Sequence, residues 1–188
     1  MKTDVQLLME KLMDFYSHPA NMQKFLDVVV IKKIDIPLRV FDWFLTNYSK
    51  KYDVNYQIKK ANGSVTNFKV WRRYQAELSA YKKKKWDPFC RGDHIVMEYE
   101  MPGSDQVIEF ETALCQMNSF RFMIKYLVID YVHAHYDEIY EDMKKNNSQS
   151  RQKLPKLGEG KKTELSKSIY RSMCVSNQNT TIKLSKRT

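Results

Sequence analysis

"HIVMEYEMPGSDQVIEFET", residues 94 to 112, is the stretch whose reading decides the fold. "HIVMEYE" and "QVIEFET" each alternate apolar and polar residues, and "MPGSD" between them is rich in turn formers. Period-two alternation on both sides of a turn predicts an antiparallel hairpin with one apolar and one polar face. If Glu98 stands opposite Glu109, then Glu98, Glu100, Glu109 and Glu111 share the polar face. Like charges opposed across a strand pair are destabilising, so such a face calls for a cation. A divalent metal, a neighbouring basic element or a basic tail would serve, and a plain solvated face is the simplest alternative. A nuclease of the carboxylate–Glu-x-Lys type would carry a lysine two positions after an acid on the second strand. Glu109-Phe110-Glu111 carries an acid there, which argues against that chemistry.

Upstream of the hairpin the pattern turns helical. Thr3 or Asp4 can cap a first helix carrying Leu7, Leu8, Leu12 and Phe15, and Pro19 can open a second. "DVVVIKKIDI" (27 to 36) fits either a strand or a helix end. Past Pro37, residues Val40, Phe41, Phe44, Leu45 and Tyr48 share one helical face, with Lys50 and Lys51 suited to the C-terminal end. "VNYQI" (54 to 58) reads as a strand, and "KKANGSVTN" as a loop turning at Asn62-Gly63. From Val70, residues Val70, Trp71, Tyr74, Leu78 and Tyr81 fall within an arc of roughly 100°, with Arg72, Arg73, Lys83 and Lys84 opposite. That helix must stop at Asp87-Pro88. Thr112 can cap the long apolar helical stretch from Ala113 to Met143, with a break near Leu127 to Asp130.

These elements predict an α+β domain. A small antiparallel sheet, built on the 94–112 hairpin and extended by the 54–58 strand, is covered by several helices. The alternative is a winged helix, with helices 38–50 and 70–85 followed by a 94–112 wing. A chain of 188 residues, 43% hydrophobic and 13% aromatic, can bury a real core in one domain with a tail left over. Five Gly and five Pro are too few for a sandwich or barrel of many tight turns. There is no signal-peptide pattern and no apolar run of about eighteen residues that would span a membrane. Three widely spaced cysteines fit free thiols in a reducing, intracellular compartment.

Charge divides the chain. Residues 1–143 hold 20 basic and 20 acidic residues, whereas 144–188 hold 12 and 2, so the tail carries the whole excess of +10. Residues 59–91 hold 10 basic and 2 acidic, and 93–143 hold 2 and 11. The expected organisation is a globular domain at 1–143 and a basic, largely disordered tail at 144–188, with a marginal helix in "TELSKSIYRSMCV".

The candidate sites follow from this layout. Arg72, Arg73, Lys82, Lys83, Lys84 and Lys85, flanked by Trp71 and Trp86, have the composition of a phosphate-tracking surface with stacking rings. Lys161 and Lys162 in the tail would add to it. The competing reading is a solvated helix end whose lysines satisfy the last carbonyls. Glu98, Glu100, Glu109 and Glu111 are candidates for docking a basic partner. In "DPFCRGDH" Cys90 and His94 are too few to hold zinc, His133 and His135 point apart on a helix, and no base can be assigned to a cysteine nucleophile. The RGD triplet reads as a turn from helix into strand, with Gly92 supplying backbone freedom.

Three segments carry a family resemblance. "IPLRVFDWFLTNYSKKYDVNY", "FKVWRRYQAELSAYKKKKWDPFCR" and "ETALCQMNSFRFMIKYLVIDYVHAHYDEIYEDMKKNNSQSR", followed by a basic "ELSKS" tail, resemble a family of uncharacterised proteins recurrent in nucleocytoplasmic large DNA viruses. The resemblance covers most of residues 34 to 170, and the chain departs from the pattern at Gly92, where a basic residue is usual. It implies a viral origin and action in the host cytoplasm or the virion, and it transfers no functional residue. The reading is a non-enzymatic protein without cofactor or metal, associating with DNA or RNA through the basic helix and tail. The alternative is a structural or scaffolding virion protein docking on other virion proteins through complementary faces.

Overall fold

The computed structural model describes residues 3–59, 63–81, 83–101, 106–152 and 181–184. In chain order these form α1 (Asp4–Tyr16), α2 (Pro19–Val29) and α3 (Leu38–Trp43), which continues through a π-helical turn (Phe44–Tyr48) into α4 (Ser49–Lys51). β1 (Asn55–Lys59), β2 (Val65–Lys69), α5 (Val70–Tyr81) and a 3-10 turn (Lys83–Lys85) follow. Then come β3 (His94–Glu100), β4 (Val107–Ala113), α6 (Leu114–Lys125), α7 (Val128–Ala134), α8 (Tyr136–Gln152) and β5 (Thr181–Leu184). The architecture is α+β.

The 94–112 hairpin has the expected register: β3 and β4 are antiparallel with Glu98 opposite Glu109. Ile95, Met97, Tyr99, Phe110 and Thr112 turn into the core, and Glu100, Glu109 and Glu111 are exposed on the other face. The hairpin feeds directly into α6, the central helix. Met117, Phe120, Phe122, Met123 and Ile124 are buried there together with Gln116, Asn118 and Ser119. A helix with polar residues inside needs each of them bonded. Thr112 Oγ1 donates to Gln116 Oε1 (2.9 Å), Gln116 Nε2 to the Pro88 carbonyl (3.0 Å) and Asn118 Nδ2 to the Lys85 carbonyl (2.9 Å). The amides of α6 thus hold the irregular stretch after α5 by its carbonyls.

Around α6 the aromatics form a continuous edge-to-face lattice. Phe25 packs on Tyr16 and Phe120, and Phe120 on Phe41, with ring centroids 5.4–6.3 Å apart. The buried Tyr16 hydroxyl donates to the Met117 carbonyl (2.8 Å). At the N-terminus Thr3 and Gln6 close a capping box, which fixes where α1 begins. Pro19 takes the first position of α2, where its missing N–H costs nothing. At the other end of α6 the chain breaks at Leu127, whose φ of 54° is left-handed, close to where the sequence predicts it.

Several expectations are corrected. The 54–58 strand does not extend the 94–112 sheet. It is β1, paired antiparallel with β2 in a separate two-stranded sheet. The loop "KKANGSVTN" therefore contains a strand start at Val65, while Gly63 does take a turn conformation, with φ 78°. Because β1 and β2 lie between α4 and α5, those helices lack the short link of a helix-turn-helix, and the winged-helix alternative falls. Ala113, not Thr112, is the N-cap of α6, because Thr112 is a buried residue within β4 and its hydroxyl goes to Gln116. Gly92 has no positive φ; it is required because a Cβ there would stand 2.9 Å from Cys115 Sγ. The expected boundary after Met143 is crossed by α8, which runs to Gln152, and Thr181–Leu184 is a strand parallel to β3. The "TELSKSIYRSMCV" helix lies outside the described residues.

Candidate nucleic-acid interface

The basic segment separates into residues bound to the fold and residues offered to solvent. Val70 and Tyr74 anchor α5, with Glu77 on the edge of the same face. Trp71, Leu78 and Tyr81 are only half-buried. Trp86 is 3% exposed, wedged edge-on against Tyr74 and Phe122 at 5.1 and 5.8 Å. It is a core residue and has no face for a base, so its assignment to nucleic-acid binding is withdrawn. Its position next to a lysine run disguised it. Lys85 is half-buried, gives its carbonyl to Asn118 and lies 3.7 Å from Asp4. Arg72 and Lys84 are exposed. Lys82, Lys161 and Lys162 lie outside the described residues, and Lys83 opens the 3-10 turn.

Arg73 has a structural partner. Its guanidinium reaches Glu77 (3.2 Å), and Arg121 of α6 reaches the other oxygen of the same carboxylate (3.5 Å). Arg121 also donates to Asn118 and to the Tyr81 hydroxyl, so one buried acid links α5 to α6 through two arginines. Sequence reasoning missed Glu77 because its two cations come from its own helix and from a segment 44 residues away.

A second group emerges at the first turn of α5. Lys50 Nζ lies over the Trp71 ring at 5.3 Å. Arg73 and Lys125 lie over Tyr126 at 5.3 and 5.4 Å. Lys50, Arg72, Arg73 and Lys125 are exposed, and Trp71 and Tyr126 half-buried. The β1–β2 hairpin holds Tyr126 in place: Phe68 stacks on it at 4.6 Å, and the Tyr56 hydroxyl donates to its carbonyl (2.7 Å). Cations over aromatic faces are attracted by the ring quadrupole and stay accessible to anions.

The hairpin acids are placed as expected, with Glu98 and Glu109 opposed. His94 Nδ1 meets Glu111 at 2.5 Å, and Lys183 of β5 stands at the register position of Glu98. In the RGD turn, Arg91 folds back in a two-pronged bond to Asp87 (2.7 and 2.9 Å) and over Phe89. Burial and the neighbouring Cys115 push the Cys90 thiol up to about 11, and burial raises Cys115 as well, so both are protonated at neutral pH rather than poised as nucleophiles.

A third cluster was not legible in the sequence. Asp142 of α8 is buried and accepts hydrogen bonds from Lys51, the Tyr52 hydroxyl (2.9 Å) and Trp43 Nε1 (3.1 Å). Burial pushes its carboxyl up, but these donors outweigh that and hold it below the ordinary value. The same bond raises Lys51. Burial and nearby Glu138 push Tyr48 up to about 12. Beside them a cleft of about 440 Å³ is lined by Tyr48, Lys51, Tyr52, Glu138, Glu141, Asp142, Lys145 and Asn146. Its donors and acceptors largely satisfy one another, which makes it a clamp between α4 and α8.

The family model "Family of unknown function (DUF7197)" matches residues 1–158. The chain belongs to DUF7197. The chain is also similar to "Uncharacterized protein L507" of Acanthamoeba polyphaga mimivirus, 36% identical over 150 residues, covering 80% of this chain. The chain spans 57% of the length of that relative. No solved structure matches. The resemblance to a family found in large DNA viruses is thereby supported, and DUF7197 brings no activity with it.

Proposed function

We propose that this DUF7197 protein is a non-enzymatic nucleic-acid-associated viral protein, acting in the host cytoplasm or the virion. The observation that carries the reading is two exposed cation-on-ring contacts around the start of α5, Lys50 over Trp71 and Arg73 with Lys125 over Tyr126, with exposed Arg72 between them in sequence. Phosphates attract such cations and release counterions, and a cation drawn off its ring uncovers a face on which a base can stack. The tail, with its excess of +10, supplies the long-range attraction.

The test is fluorescence anisotropy with single-stranded DNA and RNA oligonucleotides across a salt series. Tight binding near 50 mM salt and a steep log–log slope are expected. Arg72→Gln with Lys125→Gln should weaken binding several-fold and flatten the slope without lowering stability. No binding at low salt overturns the reading.

A second reading, a scaffolding virion protein docking through complementary faces, is favoured by Lys183 at the register position of Glu98. Self-association in analytical ultracentrifugation, without affinity for nucleic acid, would support it.

A further inference from the structure

We infer that the outer edge of β3 is a docking site for an alternating apolar–basic strand. Its occupant is the chain's own C-terminal segment Thr181–Leu184, held as a latch that a polyanion releases. The release step rests on the nucleic-acid reading; the latch itself does not.

β3 is a central strand only because β5 lies on the side away from β4. Without β5, the backbone donors and acceptors of Val96–Tyr99 would form an open edge, a template for any extended chain. The register selects among chains. Ile182 and Leu184 pair with Met97 and Tyr99, the β3 positions that face the core, whereas Thr181 and Lys183 pair with Val96 and Glu98 on the acidic face. A shift by one residue would put a lysine at a core position, so the alternation in "TIKL" fixes the pairing. In the observed register Lys183 extends the Glu109–Glu98 row with a basic residue, and Lys186 and Arg187 follow in sequence. An acidic face that calls for a cation is thus paired with the part of the chain that has cations in excess.

The contact is short and parallel, and parallel ladders are slightly weaker per residue. It therefore depends on the tether. Residues 153–180 join α8 to β5, 28 residues that can reach roughly 90 Å when extended. Docking of the chain's own segment is intramolecular, which favours a weak strand over a free peptide of the same sequence. A polyanion that binds the tail competes for the same cations and draws the strand off.

Hydrogen exchange on the full chain tests this. The peptides covering 96–99 and 181–184 should be protected together in the free protein. Ile182→Pro places a residue that ladders disfavour at the centre of the contact without changing charge, and should abolish protection at both places. Glu98→Lys, which opposes Lys183 from the body side, should weaken it. Both variants should bind a single-stranded DNA oligonucleotide several-fold more tightly than wild type, and the oligonucleotide should release both peptides in wild type. Equal exchange in wild type and Ile182→Pro would overturn the latch. Protection that rises with protein concentration would assign the strand to a second copy and overturn the occupant. Bound DNA that leaves both peptides protected would overturn the release. Absence of any DNA binding sinks the nucleic-acid reading and the release step with it, while the exchange comparison still decides the latch.

Discussion

Asp142 and Glu77 lie among cations and are buried, whereas Glu100, Glu109 and Glu111 lie on the exposed face of the β3–β4 hairpin. The exposed set stands out in the sequence, since residues 98–111 hold five acids and no basic residue. The buried pair is inconspicuous there and ties helices together: α8 to α4 through Asp142, and α5 to α6 through Glu77. A charge is worth little in water and much where removing it strands its partners, so the stabilising acids are the ones that density does not mark.

Trp86 sets the upper end of this scale, since it buries a whole indole ring. Its Nε1 has no hydrogen-bond partner among the described residues. Trp86→Ala should cost about 4 kcal/mol in urea denaturation, the usual cost of emptying a large aromatic site. Trp86→Phe should cost under about 1 kcal/mol, because it also removes the orphaned donor. A large loss in both would mean that the indole N–H is satisfied after all.

Asp142→Ala should follow at about 2 kcal/mol, since Lys51, Tyr52 and Trp43 lose a common acceptor. The folded-state value of Asp142 is lowered, so its contribution is complete above the ordinary carboxylate value near 3.9 and fades as pH falls through the folded value. The stability gap between wild type and variant should therefore close in acid; a constant gap down to about pH 2 would show that packing, not charge, is lost. Glu77→Gln should cost about 1 kcal/mol in the same assay. Glu109→Gln should be the smallest, within about 0.5 kcal/mol and stabilising in sign, as it relieves the opposition to Glu98. A cost as large as that of Asp142→Ala would erase the distinction between the two sets.

What could be read in advance follows the same division. The 94–112 register was legible because its apolar face is buried and alternates strictly, and the break at Leu127 because the apolar pattern shifts there. β2 was not, since only Phe68 of Val65–Lys69 is buried and no alternation shows. Trp86 was misread because a core position followed four lysines, and nothing local reveals that α6 supplies amides to hold that stretch. The Asp142 cluster joins residues about 90 apart, and β5 is four residues within a polar tail; neither leaves a periodic trace. The contact of Arg73 with Tyr126 joins α5 to the end of α6, so its residue types were visible but their adjacency was not.

The π-helical turn at Phe44–Tyr48 has a consequence for descent by insertion and deletion. The Ser49 N–H bonds to the Phe44 carbonyl, five residues back, so the turn holds one residue more than α geometry needs. Removing that residue would leave a regular helix and rotate everything after it by about 100°. Upstream, Val40 and Phe41 would keep their places in the core. Downstream, Lys51 and Tyr52 would swing away from Asp142, and the entry into β1 would turn with them. The extra residue acts as a phase shifter: two faces of one continuous helix are set independently, one for the aromatic core and one for the clamp on α8. A lineage that lost it would have to rebuild that clamp from other positions.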